Sequence, residues 1–239
     1  MADFTLDDVQ KQIQDTMRKF AQNELRTKAR ECDEKSELPE EIVDKVWELG
    51  FCPQPVPEQY GGYGLGRSTV NSAIALEELA YGDLSLALGA LAPSLMSLPI
   101  VEFGTDEQKE QWLPKFCGEK FYPATAAVME PRIGFDPFYL KTEVENAGDS
   151  LILNGKKCMV PIADRAEQIL VFATTSKGAG PNSVEAIIVD KGTAGMTVGE
   201  REKNMGLNPL PLFPVTFEEC EVPASRRVGG ERGIDYMRL

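Results

Sequence analysis

The chain has 239 residues, 42% hydrophobic and 26% charged, which is enough for a sizeable core and carries no low-complexity tract. Its net charge of −13 argues against a nucleic-acid partner, which needs clustered Lys and Arg, but leaves room for an anionic small ligand held by a few local cations. Histidine is absent, which removes Ser-His-Asp and Cys-His hydrolases, H-E-x-x-H metalloproteases and imidazole acid–base catalysis together; any chemistry must use carboxylates, a bound cofactor or a partner chain.

The first 120 residues read as helical. Thr5 is placed as the cap of a helix whose apolar face is Leu6, Val9, Ile13, Met17 and Phe20, at steps of three and four. Pro39 stands at a first helical position, Ile42, Val46 and Leu49 form the stripe, and Gly50 ends it. After the loop Pro53 to Arg67, Ser68 opens a helix carrying Val70, Ile74, Leu76 and Leu79. A nearly continuous apolar helix follows from Leu84 and is expected to be buried on most sides. Pro93 and Pro99 interrupt the stretch that ends at Val101, so it reads as a buried helix and no membrane is expected as a partner. Thr105 with Gln108 makes a capping box for a helix with Trp112 and Phe116.

After residue 120 the pattern shortens. Pro123 to Met129, Leu151 to Lys157, Gln168 to Thr174, Val184 to Val189, Met196 to Val198 and Val215 to Val222 read as strands, separated by turn clusters such as Asn146-Ala147-Gly148-Asp149 and Lys191-Gly192-Thr193. Helices first and strands second predict an α+β chain: an all-helical unit at 1–120, then a small antiparallel β-barrel or sandwich at 121–239. Cys32, Cys52, Cys117, Cys158 and Cys220 are widely separated and form no C-x-x-C pair, so they read as reduced thiols and not as a metal site. The acidic first turn, with Asp7 and Asp8, is unlike a basic, Ser-rich targeting sequence, and the expected location is the cytoplasm.

Two features invite a functional reading and carry little. The loop Gly61-Gly62-Tyr63-Gly64-Leu65-Gly66 lies between helices, outside any βαβ unit, and lacks the G-x-G-x-x-G spacing, so it reads as a tight turn. Glu77-Glu78 and Asp106-Glu107 are adjacent on helices and do not face each other, so a solvated face or a cap explains them better than paired acid–base carboxylates.

Other segments carry more. Leu76-Glu77-Glu78-Leu79-Ala80-Tyr81-Gly82, the loop Pro57 to Gly66, Gly104 to Lys109 with Leu113-Pro114, Met129-Glu130-Pro131 with Gly134-Phe135-Asp136, and Val215 to Pro223 occur in that order over nearly the whole chain. Together they resemble the landmarks of the acyl-CoA dehydrogenase family. The resemblance implies an N-terminal helical domain, a middle β-domain and a C-terminal four-helix bundle, of which this sequence resembles the first two and ends, near 232–239, about where the third would begin. It is expected to be a piece of a longer chain, one half of a split protein or a short relative, and incomplete in activity without a C-terminal domain.

The implied reaction is FAD-dependent α,β-desaturation of an acyl-CoA, with an electron-transfer flavoprotein as acceptor and an oligomer as the working form. The family's catalytic glutamate usually lies in the bundle, so no catalytic residue is assigned, and Glu130 is not a substitute. The resemblance places Val128, Met129, Gly134, Phe135, Met159, Val160 and Pro161 at the flavin. Met129, Phe135 and Pro161 stand where the family carries hydroxyl side chains, and Met159 where it carries a tryptophan. Each lost hydrogen bond is worth on the order of 1 kcal/mol, so three weaken binding by roughly two decades unless compensated. Leu88, Leu91, Leu95 and Leu98 are the implied wall for the acyl chain, with simple core packing as the alternative. Arg132 and Arg201 are the cations named for the coenzyme A phosphates. A second reading, motivated by Met129, Phe135 and Pro161, is a non-catalytic dehydrogenase-like subunit that has lost flavin and pairs with an active partner chain.

Overall fold

The computed structural model describes residues 5–239. Its first helix, α1 (Asp8–Phe20), is capped by Asp7: the Asp7 side chain accepts from the Gln10 amide at 2.8 Å, and the Gln10 side chain accepts from the Asp7 amide at 3.1 Å. The cap therefore falls two residues after the expected Thr5, because Asp7 has a Gln at the third helical position to complete a reciprocal box. A π-helical turn, Ala21–Leu25, carries α1 into α2 (Arg26–Lys35), which ends at Ser36 with φ 55°. Then follow α3 (Glu40–Trp47), α4 (Thr69–Leu91), α5 (Ser94–Phe103) and α6 (Asp106–Trp112). Ser68 caps α4 and Thr105 with Gln108 boxes α6, both as expected.

The expected separate helix from Leu84 is the second half of α4. Asp83 breaks the helix with φ −163°, and its Oδ1 accepts from the Leu86 amide at 2.9 Å, recapping the half that follows. Sequence patterning led to burial on most sides, and here the structure differs. Leu86, Ala90, Met96 and Ile100 are buried, whereas Leu84, Leu88 and Leu95 are 46%, 43% and 47% exposed. The helices α1–α3 cover one side of the α4 half, in a cluster with Leu25, Leu38, Ile42 and Val46, while α5, bent 60° from α4, packs instead on the strand Ala124–Ala127. The solvated face expected for Glu78 is also corrected. Its carboxylate is buried and accepts from Arg18 Nε and Nη2 at 2.8 and 2.6 Å. The glycine loop is a turn, as read: Gly61, Gly64 and Gly66 have positive φ, and a Cβ on Gly62 would lie 2.1 Å from the Val56 carbonyl oxygen.

Among the described residues seven strands form one sheet: β1 (Ala124–Ala127), β2 (Glu143–Ala147), β3 (Ser150–Pro161), β4 (Gln168–Thr174), β5 (Val184–Asp190), β6 (Met196–Val198) and β7 (Leu212–Pro223). The order is β1-β4-β2-β3-β7-β6, with β5 also on β4. The sheet is mixed, since β1 and β2 each run parallel to β4 while the remaining pairs are antiparallel. β2 was not read from the sequence. Two bulges interrupt the long β3–β7 ladder. One lies in β7 at Glu218–Glu219, where Glu219 has φ 47° and the Asn154 side chain accepts from its amide at 2.8 Å. The other lies in β3 at Cys158–Met159, where Met159 has φ 54°. Helices and strands share a core in which Trp47, Met96, Ile100 and Phe116 meet Ala124, Leu170 and Phe172. Among the described residues no single helix is long and apolar enough to cross a membrane. All five cysteines are free.

Candidate functional site

β1 ends in a buried parallel ladder with β4, and the chain leaves the sheet at Val128-Met129-Glu130-Pro131. Proline follows Glu130 and keeps that residue extended, so the segment cannot continue as a helix. The next link is long-range: the Cys158 amide donates to the Met129 carbonyl at 2.9 Å. The β3 bulge thus sits beside the end of β1, and two of the segments placed at the flavin, 128–129 and 159–161, become neighbours.

Glu130 organises the turn. Its carboxylate is buried and accepts from the Lys141 amide at 2.9 and 2.8 Å, the Thr142 amide at 2.8 Å and Lys157 Nζ at 3.1 Å. Lys157 is fully buried and also donates to the Val128 carbonyl at 3.0 Å. Burial pushes the Lys157 ammonium down to about 8 against the pull of Glu130. Burial acts to raise the Glu130 carboxyl, but Lys157 and the Thr142 and Lys141 amides outweigh it and hold the group below its ordinary value. So engaged, Glu130 is a strut and not a free base.

The remaining residues take these positions. Met129 is 46% exposed at the surface of the junction and Val128 is half-buried behind it. Gly134 has φ 65° and no atom within 4 Å of where a Cβ would stand, so the turn is open on that side. Phe135 packs partly into the shared core, with the Arg132 guanidinium 5.6 Å from its ring centroid. Val160 is buried in the sheet core and Pro161 pairs with Leu212. The Met159 amide donates to Glu202 Oε1 at 2.8 Å, so the β6–β7 loop also reaches the junction. An open depression of about 390 Å³ lies beside it, lined by Glu202 with Ser36, Arg201, Lys203, Asn208 and Leu210 among others.

Leu88, Leu91, Leu95 and Leu98 lie on the helical side, on α4 and α5, and α5 packs on β1. Leu88 and Leu95 are exposed and Leu91 and Leu98 half-buried, so simple core packing does not account for this row. Both cations named for phosphate are engaged internally. Arg132 Nη2 donates to the Asp136 and Tyr139 carbonyls; Arg201 donates to the Ser36 and Asn208 carbonyls at 2.8 and 2.5 Å. Sequence reasoning left out Lys157 and Glu202. Alternation had a signal for the first, since Leu151, Leu153 and Lys157 point one way along β3; Glu202 carries no such signal. Among the described residues no cluster of His, Cys, Asp or Glu could hold a metal ion.

These residues fit a flat aromatic ligand by apolar contact. The buried Glu130 and Lys157 pair with each other, Met129 presents an exposed thioether surface, and Gly134 leaves the turn open. The β3 side offers fewer donors, because Pro161 has no N–H and the Met159 amide is taken by Glu202.

Comparison with known proteins adds a second line. The family model described as acyl-CoA dehydrogenase, N-terminal domain, matches residues 7–120, and that described as acyl-CoA dehydrogenase, middle domain, matches residues 125–220. Cyclohex-1-ene-1-carbonyl-CoA dehydrogenase of Geobacter metallireducens is 36% identical over 234 residues, covering 98% of this chain and 61% of that protein. The structure of butyryl-CoA dehydrogenase from Megasphaera elsdenii is similar with a TM-score of 0.81 and 31% identity, over 95% of this chain and 60% of the other. The FAD complex of PigA is similar with a TM-score of 0.84 and 28% identity, over 98% and 60%. The chain thus spans about six-tenths of the length of these relatives.

Proposed function

The chain belongs to the acyl-CoA dehydrogenase family, and on that premise we propose that it supplies the flavin-holding part of an FAD-dependent oxidoreductase that desaturates an acyl-CoA thioester between its α and β carbons. The observation that carries the reading is the Cys158-to-Met129 hydrogen bond, which makes one site of two segments far apart in sequence. Bound FAD would supply the hydride acceptor. Val128, Met129 and Phe135 would meet it from the β1 side, and Met159, Val160 and Pro161 from the β3 side. The exposed leucines of α4 and α5 would meet the acyl chain. Glu130 and Lys157 support the backbone and take no proton from substrate. An electron-transfer flavoprotein is the proposed acceptor, and further chain or a partner subunit the proposed source of the α-proton base; the proposed compartment is the cytoplasm.

The visible absorption spectrum after incubation with FAD and desalting tests this. Retained flavin absorbance is the expected result. A colourless protein at saturating FAD would overturn the flavin clause and favour a non-catalytic subunit paired with an active partner.

A further inference from the structure

Lys157 is the fully buried cation at the centre of the junction. Its Nζ meets two acceptors, the Val128 carbonyl at 3.0 Å and Glu130 Oε1 at 3.1 Å. An ammonium has three N–H bonds to place and a neutral amine has two. Among the described residues an ammonium here therefore has one N–H more than it has protein acceptors. The contacts close a small ring, since Lys157 grips Val128 while the next residue, Cys158, grips Met129 through its amide. From the other side Glu130 gathers the Lys141 and Thr142 amides, so the far end of the loop that carries Gly134 and Phe135 is tied to the same nitrogen.

We propose that Lys157 is the positioning residue of this site, tying the end of β1 to the bulge of β3, and that it couples the order of the junction to the release of one proton to solvent. The inference rests on the flavin reading only for the identity of the ligand.

The groups facing Lys157 are Glu130 and Arg132 from the turn after β1, and Cys158 from its own strand, with Glu202 facing Cys158 in turn. Burial lowers the ammonium to about 8, Glu130 raises it and Arg132 lowers it. When the junction opens, the side chain regains water and its ordinary value of 10.5. Between those values the open form binds more protons than the closed form, so a rise in pH favours closure. Below about 8 both forms hold the proton and the dependence vanishes.

The test is amide hydrogen exchange of the whole chain from about pH 6.5 to about pH 9.5, corrected for the intrinsic rate, with and without FAD. The Cys158 and Thr142 amides are followed in the wild type, Lys157→Met and Glu130→Gln. In the wild type, protection should be flat at low pH and then rise by up to about tenfold per pH unit. In Lys157→Met the rise should be absent. In Glu130→Gln it should begin at lower pH, because the carboxylate no longer stabilises the ammonium; a role confined to filling space would not move it. If Lys157→Met does not fold, the wild-type curve and the Glu130→Gln shift decide. Flat or falling protection in the wild type, or an unmoved transition in Glu130→Gln, would overturn the proposal. The expected pH curve with no added protection from FAD would uphold the brace and remove the flavin reading.

Discussion

The Arg18 guanidinium forks onto the Glu78 carboxylate with two short bonds, tying α1 to α4 across sixty residues of chain. The carboxylate is buried while the arginine side chain is half-exposed, so the two partners are not equivalent. Removing the arginine strands a buried carboxylate; removing the carboxylate returns an arginine to water. We expect Arg18→Ala to lower the urea midpoint more than Glu78→Gln does. Adding Glu78→Gln to Arg18→Ala should recover part of the loss. Strictly additive effects in the double-mutant cycle would show that the pair is not coupled.

A second expectation concerns the π-helical turn. Gly82 of α4 packs so closely on it that a Cβ would lie 2.9 Å from the Ala21 Cβ and 3.0 Å from the Leu25 Cβ. Helix propensity alone favours alanine at such a position by roughly 1 kcal/mol. Overpacking opposes it by about 1–3 kcal/mol, and neither contact is the far end of a flexible side chain. Gly82→Ala should therefore destabilise the chain in urea titration; a gain in stability would mean that α1 and α4 can move apart cheaply.

The thiols should divide by burial. Burial pushes Cys52 up to about 12 and Cys220 up to about 11, and also raises Cys32, Cys117 and Cys158. Since the thiolate is the reacting form, native protein at about pH 8 should react slowly with a disulfide reagent. Cys117 and Cys158, which are partly exposed, should react first, and all five should react in denaturant. Raising the pH should speed the first two. Equal rates for all five in the native protein would contradict the buried positions of Cys32, Cys52 and Cys220.

Flavin retention should respond to the side chains at the junction. Met129→Thr, Phe135→Ser and Pro161→Thr together restore three hydroxyls, each worth on the order of 1 kcal/mol if it reaches the ligand. FAD affinity should rise by up to roughly a hundredfold, measured by flavin fluorescence quenching. No change would mean that apolar contacts at Met129 and Phe135 already do the work of the missing hydroxyls.

Much of the fold was legible because it is written in local chemistry. Ser68 and the Thr105–Gln108 pair announce their helices by capping, and Gln168 to Thr174 announces its strand by composition alone. β2 was not legible. Glu143-Val144-Glu145-Asn146-Ala147 has little apolar content, and pairing with β3 makes the strand. The exposed row of Leu84, Leu88 and Leu95 was misjudged because an all-apolar helix does not say which sides find partners.

The candidate site was legible in its residues and not in its supports. Resemblance named Met129 and Met159, which the structure sets side by side through Cys158. It did not name Lys157, because strand alternation placed that residue inward while its charge argued outward. The Glu202 contact to Met159 joins residues forty-three positions apart through no pattern that a sequence displays.

The two bulges in the β3–β7 ladder have a genetic consequence. Leu153 pairs with Cys220, Lys157 with Val215 and Val160 with Phe213, so the slip made by the extra residue in β7 is undone by the extra residue in β3. Neither bulge turns its strand over: Lys157 and Val160 are both buried on either side of Cys158–Met159, and Phe217 and Cys220 on either side of Glu218–Glu219. Losing one codon at Cys158–Met159 would therefore leave Val160 opposite Phe213 and still in the core, and losing one at Glu218–Glu219 would leave Phe217 opposite Gly155; losing one elsewhere in either strand would turn the residues beyond it to the other face. Single-codon deletions should thus be tolerated by the ladder at the two bulges and not in the stretch between them.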